Sequence, residues 1–365
     1  MADDFMQPVE SLDALLVIDE DAFARMGTAI RHLCVGFIEE PIRAKVLSRT
    51  ARLAPVLGDA IGPAPVTTVS RRCWPWPIRP AAEILGRLGG DPPDVVHCFS
   101  ASLARQAASW AAEWGSLLLV HLSDLVDIHR FRHVRRSERV AAIASTATLA
   151  EAFLKQYPKM KDRLCQVPFG ITAGSEPACL AQPQRVPSVI ITAPLTRDCG
   201  LDVVLRALHR IVHEGQETQL FIISGGPAEK QFRRLADRLD IRSHVTFVGP
   251  LQDWVKLGEA MRAADFYLLP ASRRRFTIST LLAMANGLTI IAPQGTIGDY
   301  LIDGQTATLF DPDEPEDMTA KWQELLIDRG RARRMAFGAL DYVRAHHKAS
   351  MMVARTAAFY RQICC

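Results

Sequence analysis

Several features are missing from this chain, and each absence removes a class of function. No apolar run in its 365 residues reaches the length of about 18 that a membrane-crossing helix needs. The eight cysteines, at 34, 73, 98, 165, 179, 199, 364 and 365, include no Cys-x-x-Cys pair. Thiols so scattered fit neither a zinc site nor a disulfide framework, and they suit a reducing, cytoplasmic compartment. Cys364-Cys365 reads as two tail thiols rather than a lipidation site. Excess charge is scarce: a net +3 is too little to imply nucleic acid as a partner. Met1 to Asp13, MADDFMQPVESLD, is acidic and polar, so no secretory signal is expected. There is no repeat of solenoid period and no low-complexity tract.

What is present is ordinary globular material, 48% hydrophobic and 23% charged, enough for about two domains at this length. In the first half, apolar runs alternate with helical patterns. Ala14 to Ile18, Val66 to Val69, Val95 to Phe99, Leu117 to His121, Val140 to Ala144 and Cys165 to Val167 read as strands. Ala24 to Phe37 and Leu103 to Trp114 read as helices. The strands are continuously apolar rather than alternating, which predicts parallel sheets covered on both faces. Phe169 to Pro187, rich in Pro, Gly and Ala, reads as a linker. A second alternating set follows. Its strands are Val189 to Ala193, Leu220 to Ser224, Val245 to Val248, Phe266 to Leu269 and Leu288 to Ala292, with helices at Leu201 to His213 and Glu229 to Leu239. Two tandem Rossmann-like, doubly wound α/β domains are therefore expected, over residues 1–180 and 188–348.

Phe266 to Pro293, FYLLPASRRRFTISTLLAMANGLTIIAP, is the most informative stretch. It predicts strand, polar loop, a helix starting near Thr277 and stopping at Asn286-Gly287, then a second strand, which is a right-handed βαβ unit. Its loop and helix start fall at the carboxyl end of the first strand, where such sheets bind ligands. Free N–H groups of Thr277, Ile278 and Ser279, together with the Arg273-Arg274-Arg275 run, suit a phosphate; an exposed basic loop is the competing explanation.

The stretch resembles the donor-site signature of nucleotide-sugar glycosyltransferases with two Rossmann domains (the GT-B type), specifically the retaining family 4. That pattern runs Glu, Phe-Gly, a second Glu eight residues after the first, then Ala-Met-Ala-x-Gly. Phe276, Ala283, Met284, Ala285 and Gly287 match it. Arg274 stands at the first acid, Leu282 at the second, and Thr277 at the Gly. Further resemblance lies in ISGGP (Ile223 to Pro227), VTFVGPL (Val245 to Leu251), GTIGDYLIDGQTATLF (Gly295 to Phe310) with Asp299 for Glu, PDVVHCFSA (Pro93 to Ala101) and LVHLSD (Leu119 to Asp124). A last helix, about 350–363, resembles the one that returns to the first domain. The resemblance implies an interdomain cleft and transfer of a hexose from a nucleotide diphosphate sugar to a glycan or lipid-linked acceptor. It implies no cofactor and no metal, basic side chains taking the metal's role.

Residue by residue, the resemblance implies a nucleotide held by Gly225, Gly226 and the helix start with Phe276, and a diphosphate held by a basic block after the second domain's first strand. Here that block is TAPLTRDCGLD (Thr192 to Asp202), with Cys199 at the usual Lys. Arg197 is the candidate replacement, or else a solvated loop arginine. Asp299 and Asp198 are candidate acceptors for sugar or ribose hydroxyls. Met26-Gly27 is what remains of a Gly-Gly diphosphate loop. On the acceptor side, His121 and His97 end buried strands and match two histidines of the family. His121 is expected at the reaction centre, with Asp124 orienting it; both histidines would serve equally as satisfied core residues. Five arginines, Arg130, Arg132, Arg135, Arg136 and Arg139, offer an anionic membrane surface a patch, or else form a solvated face. Trp74-Pro75-Trp76-Pro77 is a stiff aromatic loop that would touch an acceptor or cap the core. Because two carboxylates and a lysine of the signature are replaced, two further readings stand beside catalysis. One is a transferase fold serving as partner subunit or ligand-binding module. The other is an enzyme for a donor with fewer recognised hydroxyls.

Overall fold

The computed structural model describes residues 11–48, 66–68 and 81–364, apart from 101, 138, 178, 181, 183, 252–253, 271–275 and 277. The chain divides into two compact units, Met1–Gly170 with Ala349–Cys365, and Ile171–Lys348.

Unit 1 begins with β1 (Leu12–Ile18), a run of apolar residues buried along its last five positions. Asp19 then caps α1 (Glu20–Gly36) by accepting from the Ala22 N–H, with Glu20 and Asp21 in the first turn where the helix dipole favours acids. There follow β2 (Ile42–Ser48), β3 (Val66–Thr68), α2 (Ala81–Leu88), β4 (Val95–Cys98), α3 (Ala104–Trp114), β5 (Leu117–Leu122), α4 (Leu125–Phe131), β6 (Val140–Ala144), α5 (Ala147–Gln156) and β7 (Leu164–Gln166). All seven strands are parallel, in the order β3-β2-β1-β4-β5-β6-β7. The order reverses between β1 and β4, so the ligand crevice of such a sheet lies outside the carboxyl ends of those strands.

Unit 2 repeats the plan. Its strands are β8 (Ser188–Ile191), β9 (Gln219–Ile222), β10 (Val245–Phe247), β11 (Phe266–Leu268), β12 (Thr289–Pro293) and β13 (Ala307–Phe310). They are ordered β10-β9-β8-β11-β12-β13, with the reversal between β8 and β11. The helices are α6 (Leu201–His213), α7 (Glu229–Arg238), α8 (Trp254–Arg262), α9 (Ile278–Ala285), α10 (Pro315–Ile327) and α11 (Arg329–His346). The core packs Leu201, Leu205 and Leu208 of α6 and Phe232 of α7 on β8 and β9, closed by Trp322 of α10. The chain then ends in α12 (Ala349–Cys364), which groups with unit 1. It packs on α1 closely enough that a Cβ on Gly36 would overlap Val353.

The βαβ unit from β11 to β12 forms as expected, with α9 stopping before Gly287, which sits at φ +69°. The expected linker is different. Residues 171–187 are tied into unit 2 by backbone bonds from Ile171 to His347, Gly174 to Ala285 and Cys179 to Gly287. Buried Asp265 completes the tie, accepting from the N–H groups of Leu180 and Ser188, the Ser188 hydroxyl and the Arg185 guanidinium. Pro and Gly content alone does not show such side-chain anchoring.

Candidate functional site

The carboxyl edge of unit 1 carries a chain of three buried polar rings. His97 is the third residue of β4, His121 the fifth of β5, and Tyr360 comes from α12. Tyr360 Oη lies 2.7 Å from His97 Nδ1, and His97 Nε2 lies 3.2 Å from His121 Nδ1. His121 Nε2 is buried with no hydrogen-bond partner among the described residues. Phe99 and Phe169 stack on His121, each with ring centroids 4.8 Å away, so the imidazole plane is fixed. Burial pushes His121 down to about 3, helped by the Arg25 guanidinium, and pushes His97 well below the histidine range, helped by His121. Both imidazoles are therefore neutral at physiological pH.

Around them the first turn after each strand is polar. Arg25 donates to Ser123 Oγ (2.7 Å) and Asp21 (3.0 Å). Asp127 accepts from the Ser123 N–H and hydroxyl, and its carboxyl is pushed up by burial. Across the strand-order reversal, Asp19 Oδ2 accepts from the hydroxyls of Ser100 and Ser102.

Two expectations for unit 1 need correction. Gly27 is a buried residue inside α1, not a loop glycine, so its amide belongs to the helix ladder and no diphosphate-facing turn exists there. At the end of β1 the chain has Asp19 instead. Asp124 caps α4, its Oδ1 accepting from the Val126 N–H at 2.9 Å. It is His97, not Asp124, that orients His121. The arginines at 130, 132, 135, 136 and 139 are all exposed.

In unit 2 the loop after β8 and the turn after β9 are joined. Leu195 N donates to Gly225 O at 3.1 Å, and Ala228 N donates to Leu195 O at 3.0 Å. A Cβ on Gly226 would overlap the Leu195 backbone, so only glycine permits this approach. Gly225 and Gly226 thus first serve to seat the loop that carries Arg197. Arg197 lines an open groove with Thr196, Lys230, Arg234 and Arg238. Asp198 is exposed beside it, its carboxyl held low by Thr196. Cys199, standing at the lysine position of the signature, is buried and its thiol is pushed up.

Phe276 is buried and packs edge-on against Tyr300, ring centroids 6.2 Å apart. Ile278 is buried at the start of α9, Ser279 half-buried, and Asp299 exposed next to Tyr300. Leu282 is buried, so the position of the signature's second acid is part of the packing. Arg274, Thr277 and the Trp74–Pro77 loop lie outside the described residues.

Two Asp-x-Asp triplets do occur, at Asp19–Asp21 and Asp311–Asp313. Each has local work: Asp19 caps α1, and Asp311 Oδ1 accepts from the Asp313 N–H. No group of three or more His, Cys, Asp or Glu is arranged to hold a metal among the described residues. No helix among them is long and apolar enough to cross a membrane.

Sequence reasoning missed Asp19, Arg25, Ser100 and Tyr360. Asp19 had a visible signal, an acid directly between a strand and a helix. Tyr360 had none, because its bond spans 263 positions.

Residues 186–328 match the family described as "Glycosyl transferases group 1". The chain is 30% identical over 217 residues to D-inositol 3-phosphate glycosyltransferase of Nocardia farcinica, covering 55% of this chain and 48% of that protein. It is 28% identical over 158 residues to a GDP-mannose-dependent alpha-(1-6)-phosphatidylinositol monomannoside mannosyltransferase of Mycolicibacterium smegmatis, covering 41% of each. These relatives are named as sugar transferases, and the chain spans about half their length or less. In fold, it is similar to Anabaena Alr3699/HepE in complex with UDP-glucose, with a TM-score of 0.76, 15% identity and coverage of 95% of this chain and 98% of that one. It is also similar to sucrose-phosphate synthase from Thermosynechococcus elongatus, with a TM-score of 0.71, 17% identity and coverage of 96% and 98%.

Proposed function

We propose that the chain is a glycosyltransferase of the GT-B type resembling the retaining family 4, moving a hexose from a nucleotide diphosphate sugar to a glycan or lipid-linked acceptor. The observation that carries this reading is the family match over residues 186–328, which falls within unit 2 and spans β8 to α10. The name of one relative, a phosphatidylinositol monomannoside mannosyltransferase, supports a lipid-linked acceptor, whereas that of the D-inositol 3-phosphate glycosyltransferase supports sugar transfer alone.

In this reading unit 2 holds the nucleotide diphosphate. Charge developing on the departing diphosphate needs fixed donors. Arg197, seated by Gly225 and Gly226, and the α9 start at Ile278 and Ser279 near Phe276 are assigned that role, together with Arg274 and Thr277, which lie outside the described residues, and with no metal. Asp299 accepts from a donor hydroxyl. In unit 1, His121 contributes a neutral ring nitrogen to a sugar hydroxyl, held in place by His97. The replacement of two signature carboxylates by Arg274 and Leu282 selects a donor that needs fewer charged acceptors. At roughly 1.5–3 kcal/mol for each hydrogen bond to a charged group, an ordinary hexose would otherwise lose several orders of magnitude in affinity. In the same reading the exposed arginines Arg130, Arg132, Arg135, Arg136 and Arg139 serve as a patch for an anionic membrane face that presents a lipid-linked acceptor.

Calorimetric titration of the full chain with UDP, GDP and ADP, then with their sugar conjugates, tests the reading. Micromolar binding of one nucleotide is expected. No binding at millimolar ligand would overturn it.

A further inference from the structure

The open groove beside α7 in unit 2 gathers positive charge that nothing in the unit neutralises. It has a volume of about 960 Å³ and is lined by Arg197, Lys230, Arg234 and Arg238, with Thr196 and Gln231. All four cations are exposed, and none makes an ion pair or a side-chain hydrogen bond among the described residues. Other surface arginines of the unit are paired: Arg210 with Glu214 and Glu316, Arg233 with Glu229, Arg331 with Glu324, and Arg344 with Asp341. Asp237, the one acid among the described lining residues, lies 3.6 Å from Arg242. Asp198, next to Arg197, is held by the Thr196 side chain.

The placement of these cations works against the helix that carries them. Lys230, Arg234 and Arg238 stand at i, i+4 and i+8 of α7, which makes two like-charge pairs on one face. Lys230 also occupies the first turn, where the helix dipole disfavours a cation. Arg233 on the same helix shows the alternative: Glu229 pairs with it four residues earlier, and its guanidinium lies over the Phe247 ring at 4.3 Å. An anion lying along the stripe relieves the repulsion. Its three charges are about 6 Å apart along the axis and so span about 12 Å. A diphosphate is too short to meet all three, whereas a chain with repeated negative groups is not.

We propose that this groove binds an extended acidic glycan, a sugar chain bearing carboxylate, sulfate or phosphate groups. The guanidinium fork matches such oxygens two at a time, and Gln231 offers an amide to the sugar hydroxyls between them. A concave groove does not follow a flat bilayer. No aromatic ring lines it among the described residues, so the bases of a single-stranded nucleic acid have nothing to stack on. The choice of a glycan over another acidic chain rests on the transferase reading; the binding of a repeated anion does not. In that reading the groove grips a polymeric acceptor or product outside its reacting end. Arg197 is already assigned to the diphosphate, so the variant below leaves it native.

The test is calorimetric titration of the full chain with hexagalacturonate and with a heparin hexasaccharide, with maltohexaose as the neutral chain. At least one acidic hexamer should bind, with an affinity that falls as salt is raised, and maltohexaose should not. The matching acidic disaccharide, too short for the stripe, should bind about tenfold more weakly. The triple variant Lys230→Gln, Arg234→Gln, Arg238→Gln should lose affinity for the hexamer by about tenfold or more. Binding of neither acidic hexamer, or equal binding by native chain and variant, would overturn the proposal. So would tighter binding of a single-stranded oligonucleotide or of anionic vesicles than of both hexamers. Nucleotide titration is read separately. Nucleotide binding without hexamer binding would remove the groove proposal alone. Hexamer binding without nucleotide binding would remove the transferase reading and leave a groove for acidic glycans.

Discussion

At the carboxyl edge of unit 1 three polar rings are buried, with both imidazoles neutral, and bonded in a chain. In unit 2 the cations are exposed: Arg197 on a loop seated by glycine, and Lys230, Arg234 and Arg238 along α7. His97, His121 and Tyr360 are nearly inaccessible, whereas Arg197, Lys230, Arg234 and Arg238 all face solvent. The same doubly wound plan supports both. The first arrangement fixes position, because stacking and two hydrogen bonds hold the buried rings. The second supplies attraction, because mobile cations adapt to an anion but do not orient it. A protein that must orient a sugar and hold a diphosphate has use for one of each.

The contrast breaks hardest in acid. His97 and His121 have folded-state values below the ordinary 6.5 of histidine, so the unfolded chain takes up protons first. Their contribution is complete above about pH 6.5 and is lost as pH falls toward the folded values, at about 1.4 kcal/mol per pH unit for each ring. Asp127, with its carboxyl pushed up, gains stability in the same descent, but it is one group against two. Hydrogen exchange should show unit 1 amides losing protection as pH falls below about 6.5. Flat protection of β4 and β5 across that range would contradict the neutral pair.

Gly287→Ala tests the scaffold of unit 2. The position combines φ +69° with a Cβ that would overlap Pro177. A loss of roughly 2–5 kcal/mol is expected from left-handed strain and overpacking together. Denaturant unfolding measures it, and a neutral result would mean that the 171–187 segment yields freely. Arg197→Ala should weaken the nucleotide identified by calorimetry by about 1.5–3 kcal/mol without changing the unfolding midpoint. Equal affinity would return Arg197 to the status of a solvated loop residue. The smallest effect is on membranes. Changing each of Arg130, Arg132 and Arg135 to Glu should reduce binding to anionic vesicles by about 1 kcal/mol per residue, with neutral vesicles as the control. Equal binding of native chain and variant would place those arginines on a merely solvated face.

The sequence foretold most of the architecture because buried parallel strands write themselves as short apolar runs. β6 and α6 appear with the bounds expected, and α12 differs by one residue at each end. β2 escaped notice although Ile42, Ala44 and Val46 alternate with Arg43 and Lys45, because continuous apolar runs, not alternation, mark the other expected strands. β13 hid within a polar loop block. The candidate site was legible where it follows a strand end, as at His97 and His121. It was illegible where it depends on side chains meeting across the sheet, as with Arg25 and Ser123 or Tyr360 and His97. Gly27 misled because the family pattern makes it a loop glycine, although the apolar periodicity from Ala24 to Phe37 already places it in a helix, as the structure has it.

Unit 1 takes its last helix from residues made after the whole of unit 2. During synthesis, the sheet of β1 to β7 therefore leaves the ribosome with Gly36 and His97 facing nothing, and a complete second unit follows before α12 arrives. The phenol bonded to His97 is made after the strands of both sheets. A product stalled or clipped before α12 would carry a complete second unit and a first unit lacking its last helix.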